Sequence, residues 1–266
     1  MTTIEELDAR FYRDREDEHA RFDRTVRRYL RPESRVLDAG AGRGRAFTHD
    51  YARLAALVVG VDLDDSVREN TLLHAAAVAD IECLPFRDAA FDLVLAKYVF
   101  EHLDRPLPVL LELRRVLRPG GYLVFHTPNR FHYVAVVARV SPHRFHLWFN
   151  RKRGLEPEDV HRVHYRANDR FVLARLARRA GFRVARLELF EPKPAYLFFN
   201  PLAYRAGIAY ERLVSRHEAL RDLRANLIGA FEAIPSKRTE LERTGGTELP
   251  EHRPRTHRSP QFGMNL

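Results

Sequence analysis

The sequence predicts an α/β fold built on a doubly wound, mostly parallel sheet of seven strands. Short and nearly continuous apolar runs, of which residues 57–61 and 91–96 are the clearest, recur along the first half of the chain. Such runs are typical of parallel strands that are buried on both faces. Segments of helical periodicity, such as residues 107–117, lie between these runs, and this alternation predicts helices packed on the sheet. In sheets of this kind, ligands bind at the carboxyl ends of the strands.

Composition narrows the classes of protein to consider. The chain has 266 residues, and its 45% hydrophobic fraction suffices for a sizeable core. Its single cysteine, Cys83, excludes an intramolecular disulfide framework and a cysteine-based zinc cluster. The first residues contain no apolar signal-peptide core, and no apolar run approaches the ~20 residues of a membrane span, so we expect a cytoplasmic protein. The formal net charge of +9 raises the local concentration of anions without specifying a partner.

Residues 1–30 are expected to form one or two amphipathic helices. Leu7, Phe11, Phe22 and Val26 recur at roughly helical spacing among many charged residues. We expect these helices to pack over the start of the sheet. The sequence Arg31-Pro32-Glu33 then ends the helical pattern before the first strand.

A carboxylate and three glycines follow the first apolar run, in Asp38-Ala39-Gly40-Ala41-Gly42-Arg43-Gly44. Glycine lacks a Cβ, so it lets the backbone turn sharply and approach a ligand closely. We expect a tight loop that opens a helix over about residues 46–57, with the N–H groups of the helix facing the ligand. A tight turn without any ligand is the alternative. The dinucleotide fingerprint G-x-G-x-x-G does not fit, because Arg45 stands where its third glycine is required.

The second apolar run ends in Asp62. A carboxylate at the end of this strand can accept hydrogen bonds from both hydroxyl groups of a cofactor ribose. The alternatives are an acid in a surface turn, or a cap for a helix that begins near Asp65. We expect the third strand at residues 78–81, the fourth at residues 91–96 and the fifth at residues 122–126.

Six short motifs occur in order along the sequence. They are residues 36–44, Val61-Asp62, Asp80-Ile81 with Leu84-Pro85-Phe86, residues 91–94, residues 100–103 and residues 115–121. This set resembles the class I S-adenosylmethionine-dependent methyltransferases, most of all the small-molecule enzymes related to ubiquinone and menaquinone biosynthesis. The resemblance covers about residues 30–130 and extends more loosely to about 234. It implies a Rossmann-like fold with a cap inserted after strand five, S-adenosyl-L-methionine as the cofactor, and methyl transfer to an oxygen, nitrogen or carbon atom of a small molecule.

The resemblance also implies which residues hold the cofactor. Asp38 is expected near its methionyl end, and Asp62 at the ribose hydroxyls. Lys97 and Tyr98 are expected near the sulfonium, and Tyr98 is also a catalytic candidate. The remaining expected contacts are Gly40, Ala41, Gly42 and Gly44 in the loop, Leu63 beside the adenine, and Asp80 and Ile81 at its amino group and face.

Residues 130–166 interrupt the alternation after the fifth strand and are expected to form a cap that recognises the acceptor. Between residues 127 and 166 the chain has eight Lys or Arg against three acids, which favours an anionic or phosphorylated acceptor. Aromatic residues among the arginines could instead stack on single-stranded nucleic acid. The paired histidines of this segment lack interleaved acidic or cysteine ligands, so we expect no metal site.

Two candidate acid–base groups lie in or near the cap. The stretch His161-Arg162-Val163-His164-Tyr165 loosely resembles a segment of several relatives in which a histidine or an arginine often faces the active site. His161 is therefore a candidate general base or substrate anchor, because imidazole can deprotonate a hydroxyl near neutral pH. A capping or surface histidine is the alternative. Glu101 and His102 could form an acid–base pair, but we favour a structural role for them in the wall of the cleft.

The C-terminal part of the chain is expected to provide one wall of the substrate cavity and a disordered tail. Residues 195–214 are aromatic and apolar but are interrupted by Asn200, Pro201 and Arg205, so they do not span a bilayer. We expect them to complete the substrate cavity. They could also lie at a membrane surface and admit a lipid-like substrate. Residues 235–266 have few apolar residues and are expected to be disordered, which places the methyltransferase domain at residues 31–234.

Two other functions stay open from the sequence. A nucleic-acid base methyltransferase is disfavoured, because Ala96-Lys97-Tyr98-Val99 stands where a [D/N]-P-P-[Y/F] motif would follow the fourth strand. A non-catalytic partner protein that binds S-adenosylmethionine is the second alternative. Such a protein would bind the cofactor yet lack an acceptor cavity.

Overall fold

The computed structural model describes residues 3–44, 50–140 and 163–235. A seven-stranded sheet of order β3-β2-β1-β4-β5-β7-β6 forms its centre. Strands β1 to β5 run parallel, and β7 lies antiparallel to both β5 and β6. The strands are β1 Arg35–Ala39, β2 Leu57–Asp62, β3 Ala75–Val78, β4 Phe91–Lys97, β5 Leu117–Pro128, β6 Phe182–Phe190 and β7 Asn226–Ala233. The predicted α/β class and the mostly parallel, seven-stranded, doubly wound sheet are confirmed.

Helices accompany the strands, and several begin at a capping side chain. The helices of the described ranges are α1 Ile4–Tyr12, α2 Glu18–Arg27, α3 Pro106–Val116, α4 Tyr133–Val140, α5 Arg170–Arg179 and α6 Pro201–Arg216. The side chains of Asp17, Asp169 and Asn200 accept hydrogen bonds from the first free N–H groups of α2, α5 and α6. Such caps satisfy donors that a helix leaves unpaired at its start. None of the helices in these ranges is long and apolar enough to cross a membrane.

Two expectations about local structure are wrong. The segment before β2 forms a single 3-10 turn at Tyr51–Arg53 rather than a helix reaching residue 57, and residues 46–49 lie outside the described residues. Tyr51 is buried and β2 already begins at Leu57, so little chain remains for further helical turns. The third strand lies earlier than predicted, at Ala75–Val78, because pairing with the end of β2 fixes its register.

The core covers both faces of the sheet. On one face Leu110 and Leu113 of α3 and Leu173 of α5 pack with Phe125 and Phe231. On the other face, α2 contributes Phe22 and Val26 to a second buried cluster. Each such side chain contributes about 1.5–3 kcal/mol by its burial. The first helix packs instead on α6, so the N-terminal helices are fixed beside the carboxyl ends of the central strands.

Candidate functional site

The glycine loop folds over the end of β2. The N–H of Gly40 donates to the carbonyl of Val61 at 2.8 Å. The N–H of Gly42 donates to Oδ2 of Asp62 at 2.9 Å, and the other oxygen of Asp62 accepts from the N–H of Asp64 at 3.0 Å. The three loop glycines have φ values of +78°, +47° and +83°, which side chains disfavour. The loop therefore needs its glycines, and Asp62 sets its shape.

The side chain of Asn70 also holds the glycine loop, and the sequence analysis did not identify this residue. Its buried side chain donates to the carbonyls of Ala41 and Gly42, both at 3.3 Å. A Cβ added to Gly44 would lie 2.5 Å from Oδ1 of Asn70. No pattern in the sequence marks Asn70, because its contacts lie far from it along the chain.

Asp38 is a buried carboxyl beside the loop. Burial and the nearby charge of Asp62 raise its pKa to about 8, and the ammonium of Lys97 acts in the opposite direction. Its Oδ1 is shielded from solvent and has no hydrogen-bond partner among the described residues. A buried polar atom without a partner calls for an explanation, and a ligand with hydrogen-bond donors supplies one. Asp38 therefore fits the donor groups at the methionyl end of the expected cofactor.

Lys97 lies at the end of the neighbouring strand β4. Burial lowers the pKa of its ammonium to about 8, while the carboxylates of Glu18, Asp17 and Asp38 act to raise it. The Nζ of Lys97 lies 2.8 Å from Nδ1 of His19 on α2. Lys97 therefore joins the neighbourhood of the glycine loop to the N-terminal helices.

The other expected cofactor residues lie along the same edge of the sheet. Asp38 is the penultimate residue of β1, Asp62 is the last residue of β2, and Asp80 comes two residues after the end of β3; these three strands are adjacent in the sheet. Leu63 is exposed, and Ile81 is half-buried. The exposed Asp80 accepts a hydrogen bond from the N–H of Glu82 at 2.8 Å. The structure therefore brings these predicted residues to one edge, while His161 lies outside the described residues.

A cavity of about 1160 Å³ adjoins this edge on the side of α2. Its described lining residues come from the N-terminal helices, from the ends of β4, β5 and β6, and from the segment before α6. They include Tyr12, Glu18, His19, Tyr98, Glu101, Asn129, His132, Tyr165, Glu191, Ala195 and Tyr196. Because His19 also contacts Lys97, the cavity lies next to the residues expected near the sulfonium. Its volume is large enough for a small-molecule acceptor.

Tyr98 lines the cavity in a strained conformation. Its φ is +59°, which costs a non-glycine residue about 1–3 kcal/mol and is often seen at functional sites. Its N–H donates to the carbonyl of His126 at 2.8 Å, which holds the backbone in place. Burial and the carboxylate of Glu18 raise the pKa of the phenol well above its usual value. Tyr98 is therefore a neutral phenol whose hydroxyl is hydrogen-bonded to Glu18, which also lines the cavity.

Glu101 belongs to a buried hydrogen-bond network in the wall of the cavity. Its Oε2 accepts from the hydroxyl of Thr127 at 3.0 Å, and that hydroxyl accepts from Nδ2 of Asn168 at 2.6 Å. Burial raises the pKa of the Glu101 carboxyl to about 7. Its carbonyl also accepts from the N–H of His164 at 2.7 Å. These contacts agree with the structural role that we favoured for this turn.

A buried His–Glu pair forms the far wall of the cavity, and no sequence pattern predicted this pairing. Nε2 of His132 lies 3.2 Å from Oε1 of Glu191, and both side chains are almost fully buried. The other oxygen of Glu191 accepts from the N–H of Ala225 at 2.7 Å, which fixes the carboxylate. Both residues line the cavity. The 3.2 Å separation is that of an ion pair, and Nε2 of His132 forms no hydrogen bond of regular geometry with any described residue. A histidine beside a carboxylate is an arrangement that accepts protons in many enzymes.

Comparison with known proteins agrees with this geometry. Residues 37–125 match the family model described as a methyltransferase domain. The ubiquinone biosynthesis O-methyltransferase of Neisseria meningitidis is 31% identical over 169 residues, which cover 57% of this chain and 64% of that protein. The malonyl-[acyl-carrier protein] O-methyltransferase of Serratia marcescens is 34% identical over 99 residues, which cover 36% of this chain and 39% of that protein. The chain thus spans less than two thirds of the length of these relatives.

A solved structure shares the fold. The geranyl diphosphate C-methyltransferase of Streptomyces coelicolor A3(2) superposes with a TM-score of 0.52 at 17% identity, covering 82% of this chain and 78% of the other. The match of residues 37–125 contains the glycine loop, Asp62 and the end of β4. The resemblance to methyltransferases inferred from the sequence is therefore confirmed.

Proposed function

We propose that this chain, which contains a methyltransferase domain at residues 37–125, catalyses S-adenosylmethionine-dependent methyl transfer to an oxygen, nitrogen or carbon atom of a small molecule. One observation carries the proposal. The carboxyl oxygen of Asp38 that has no partner in the described part of the chain lies with the glycine loop at the end of β1, and the end of the adjacent strand β4 leads into a cavity. A cofactor site and an acceptor site thus adjoin.

The described residues fit the cofactor. Asp38 would bind the ammonium of the methionyl end, since its buried Oδ1 has no other described partner. Each oxygen of Asp62 already accepts one backbone N–H and has capacity to accept a ribose hydroxyl as well. The exposed Leu63 would cover the adenine. The cofactor supplies the methyl group as a sulfonium, so the protein has mainly to hold the reactants in the right geometry.

The cavity would position the acceptor and remove its proton. The neutral phenol of Tyr98, whose proton is donated to Glu18, would contact the acceptor through its oxygen. His132, which lies beside the carboxylate of Glu191, would accept the proton when the acceptor is a hydroxyl. His161 is the other candidate base. The proposal that the acceptor is anionic rests on the basic residues of the cap. Within the cap, residues 141–162 lie outside the described residues.

The proposal is tested with S-adenosyl-[methyl-³H]methionine and a cell extract separated into small-molecule, RNA and DNA fractions. We expect label in the small-molecule fraction with the wild type, and about tenfold less with Asp62→Ala when the cofactor concentration is below its dissociation constant. Label in RNA or DNA would instead support the base methyltransferase. Cofactor binding without label in any fraction would support the non-catalytic partner protein.

A further inference from the structure

The solvent face of α6 exposes apolar and basic side chains together. Leu202 and Leu213 are 76% and 51% exposed, and Phe199 in the preceding turn is 58% exposed. At 100° per residue one face of the helix collects every third or fourth position. We call this face the α6 outer face; it comprises Leu202, Arg205, Ala206, Ala209, Arg212, Leu213 and Arg216, all of which are exposed.

The charge of the α6 outer face has one sign. The helix has a single acid, Glu211, which is fully buried and accepts a hydrogen bond from Arg15 at 2.6 Å. Arg205 and Arg216 form no ion pair with any described residue. The face therefore presents the guanidinium groups of Arg205 and Arg216 without an ion-pair partner among the described residues, together with Arg212, whose Nε lies 3.4 Å from Oε2 of the buried Glu211. Leucines flanked by basic residues on one helical face are typical of helices that lie in the interface of an anionic bilayer.

The same region continues into the wall of the cavity. Ala195 and Tyr196 line the cavity just before α6, and Lys193 lines it as well. The ring of Phe198 stacks on the buried Tyr204 at 4.9 Å, and Nζ of Lys193 lies 5.5 Å from the centre of the Phe198 ring. These contacts join the turn before α6 to the body of the protein. A molecule held at the α6 outer face is therefore close to the cavity.

We propose that the α6 outer face docks on an anionic lipid bilayer, and that the acceptor is a small molecule that partitions into that bilayer. Docking would bring an acceptor with an apolar portion to the cavity without full transfer through water. The statement about the acceptor rests on the proposed function, whereas docking on the bilayer does not.

The test is sedimentation of the full chain with vesicles of phosphatidylcholine alone, or of phosphatidylcholine and phosphatidylglycerol at three to one. The variant is Leu202→Gln/Arg205→Gln/Arg216→Gln. The matched control is Phe171→Gln/Arg175→Gln/Arg178→Gln on α5, where Phe171 is 59% exposed and both arginines are exposed. Both variants lose one apolar side chain and two positive charges, so they differ only in the face that is changed.

We expect the wild type to bind the anionic vesicles at least about tenfold more strongly than the neutral ones, and to be released by salt. The α6 variant should lose about tenfold or more of this binding, because two charges and one anchor are removed. The α5 control should bind like the wild type. Absence of binding by the wild type, or equal losses in the two variants, would overturn the proposal.

Calorimetric titration of the α6 variant with S-adenosylmethionine separates the two claims. The variant should bind the cofactor as the wild type does, since none of its three changed residues lines the cavity or the glycine loop. Vesicle binding without any cofactor binding in the wild type would contradict the proposed function and leave docking intact. Cofactor binding without vesicle binding would do the reverse.

Discussion

The N–H of Gly42 donates a 2.9 Å hydrogen bond to Oδ2 of Asp62 and thereby ties the glycine loop to the end of β2. The second carboxyl oxygen accepts from the N–H of Asp64, so one side chain holds the backbone on both sides of the site. Asp62 therefore has two roles in the account given above. It shapes the loop, and it is the expected partner of the ribose hydroxyls.

Replacing Gly44 by alanine should cost more stability than replacing Gly120. Both glycines have φ near +80°, but a Cβ at Gly44 would meet Asn70 at 2.5 Å, whereas nothing lies within 4 Å at Gly120. Gly120→Ala should cost about 1–2 kcal/mol of backbone strain, and Gly44→Ala a further ~1–3 kcal/mol for the displaced side chain. Urea denaturation measures both values. Equal losses would contradict the contact with Asn70.

Binding of S-adenosylmethionine should release a proton from Asp38. The pKa of this carboxyl is raised to about 8 without ligand, so it is mostly protonated at pH 7. A cation bound beside it favours the carboxylate, and about one proton should leave at that pH. Calorimetry in two buffers of different ionisation enthalpy counts the proton, and Asp38→Asn should remove the difference between buffers. Identical enthalpies for the wild type in both buffers would argue against this role of Asp38.

The free energy of unfolding should depend on pH through the same carboxyl. Because the folded pKa is about 8 and the ordinary value is 3.8, the folded protein holds a proton that the unfolded chain has released in this window. The stabilising contribution of Asp38 to the free energy of unfolding is fully present below about pH 4 and is lost as the pH rises to about 8. The free energy of unfolding of the wild type minus that of Asp38→Asn should therefore fall from pH 4 to pH 8. A difference that is constant or that rises would contradict the raised pKa.

His132→Gln should slow methyl transfer to a hydroxyl acceptor by about 10²–10⁴-fold in kcat, which is the usual contribution of a general base. Glutamine keeps a polar group in the wall but cannot take up the proton. The dissociation constant of S-adenosylmethionine should be unchanged, because His132 lines the acceptor cavity rather than the glycine loop. An unchanged kcat with a hydroxyl acceptor would exclude His132 as the base. Transfer to an amine that is already neutral should be affected far less.

Short sequence patterns predicted the features that residues close together in the chain determine. The glycine loop and Asp62 follow apolar runs that the sequence shows directly, and both lie at the carboxyl ends of parallel strands as expected. The third strand was placed too late, because Ala75–Val78 is only weakly apolar and its pairing with β2 decides its position. The helix expected to reach residue 57 was not formed in its described part, because β2 begins there.

Contacts between distant residues could not be predicted in this way. His132 follows β5 and Glu191 follows β6, and these strands are joined only because β7 pairs antiparallel with both. Asn70 reaches the glycine loop across β2 in the same fashion. Spacing along the chain contains no trace of such pairs. The wall that these pairs build therefore emerged only from the structure, whereas the expected contribution of residues 195–214 to the cavity agrees with the positions of Ala195 and Tyr196 in its lining.

The central claim, that the glycine loop and Asp62 hold S-adenosylmethionine, is tested most directly by calorimetric titration. Wild type, Asp62→Ala and Asp65→Ala would each be titrated with S-adenosylmethionine and S-adenosylhomocysteine. Asp65 is an exposed acid whose side chain contacts Arg68, so it serves as the matched control. We predict micromolar binding by the wild type and the control, and binding weaker by about tenfold or more, or roughly 1.4 kcal/mol, in Asp62→Ala. A folded wild type that binds neither compound would contradict the account.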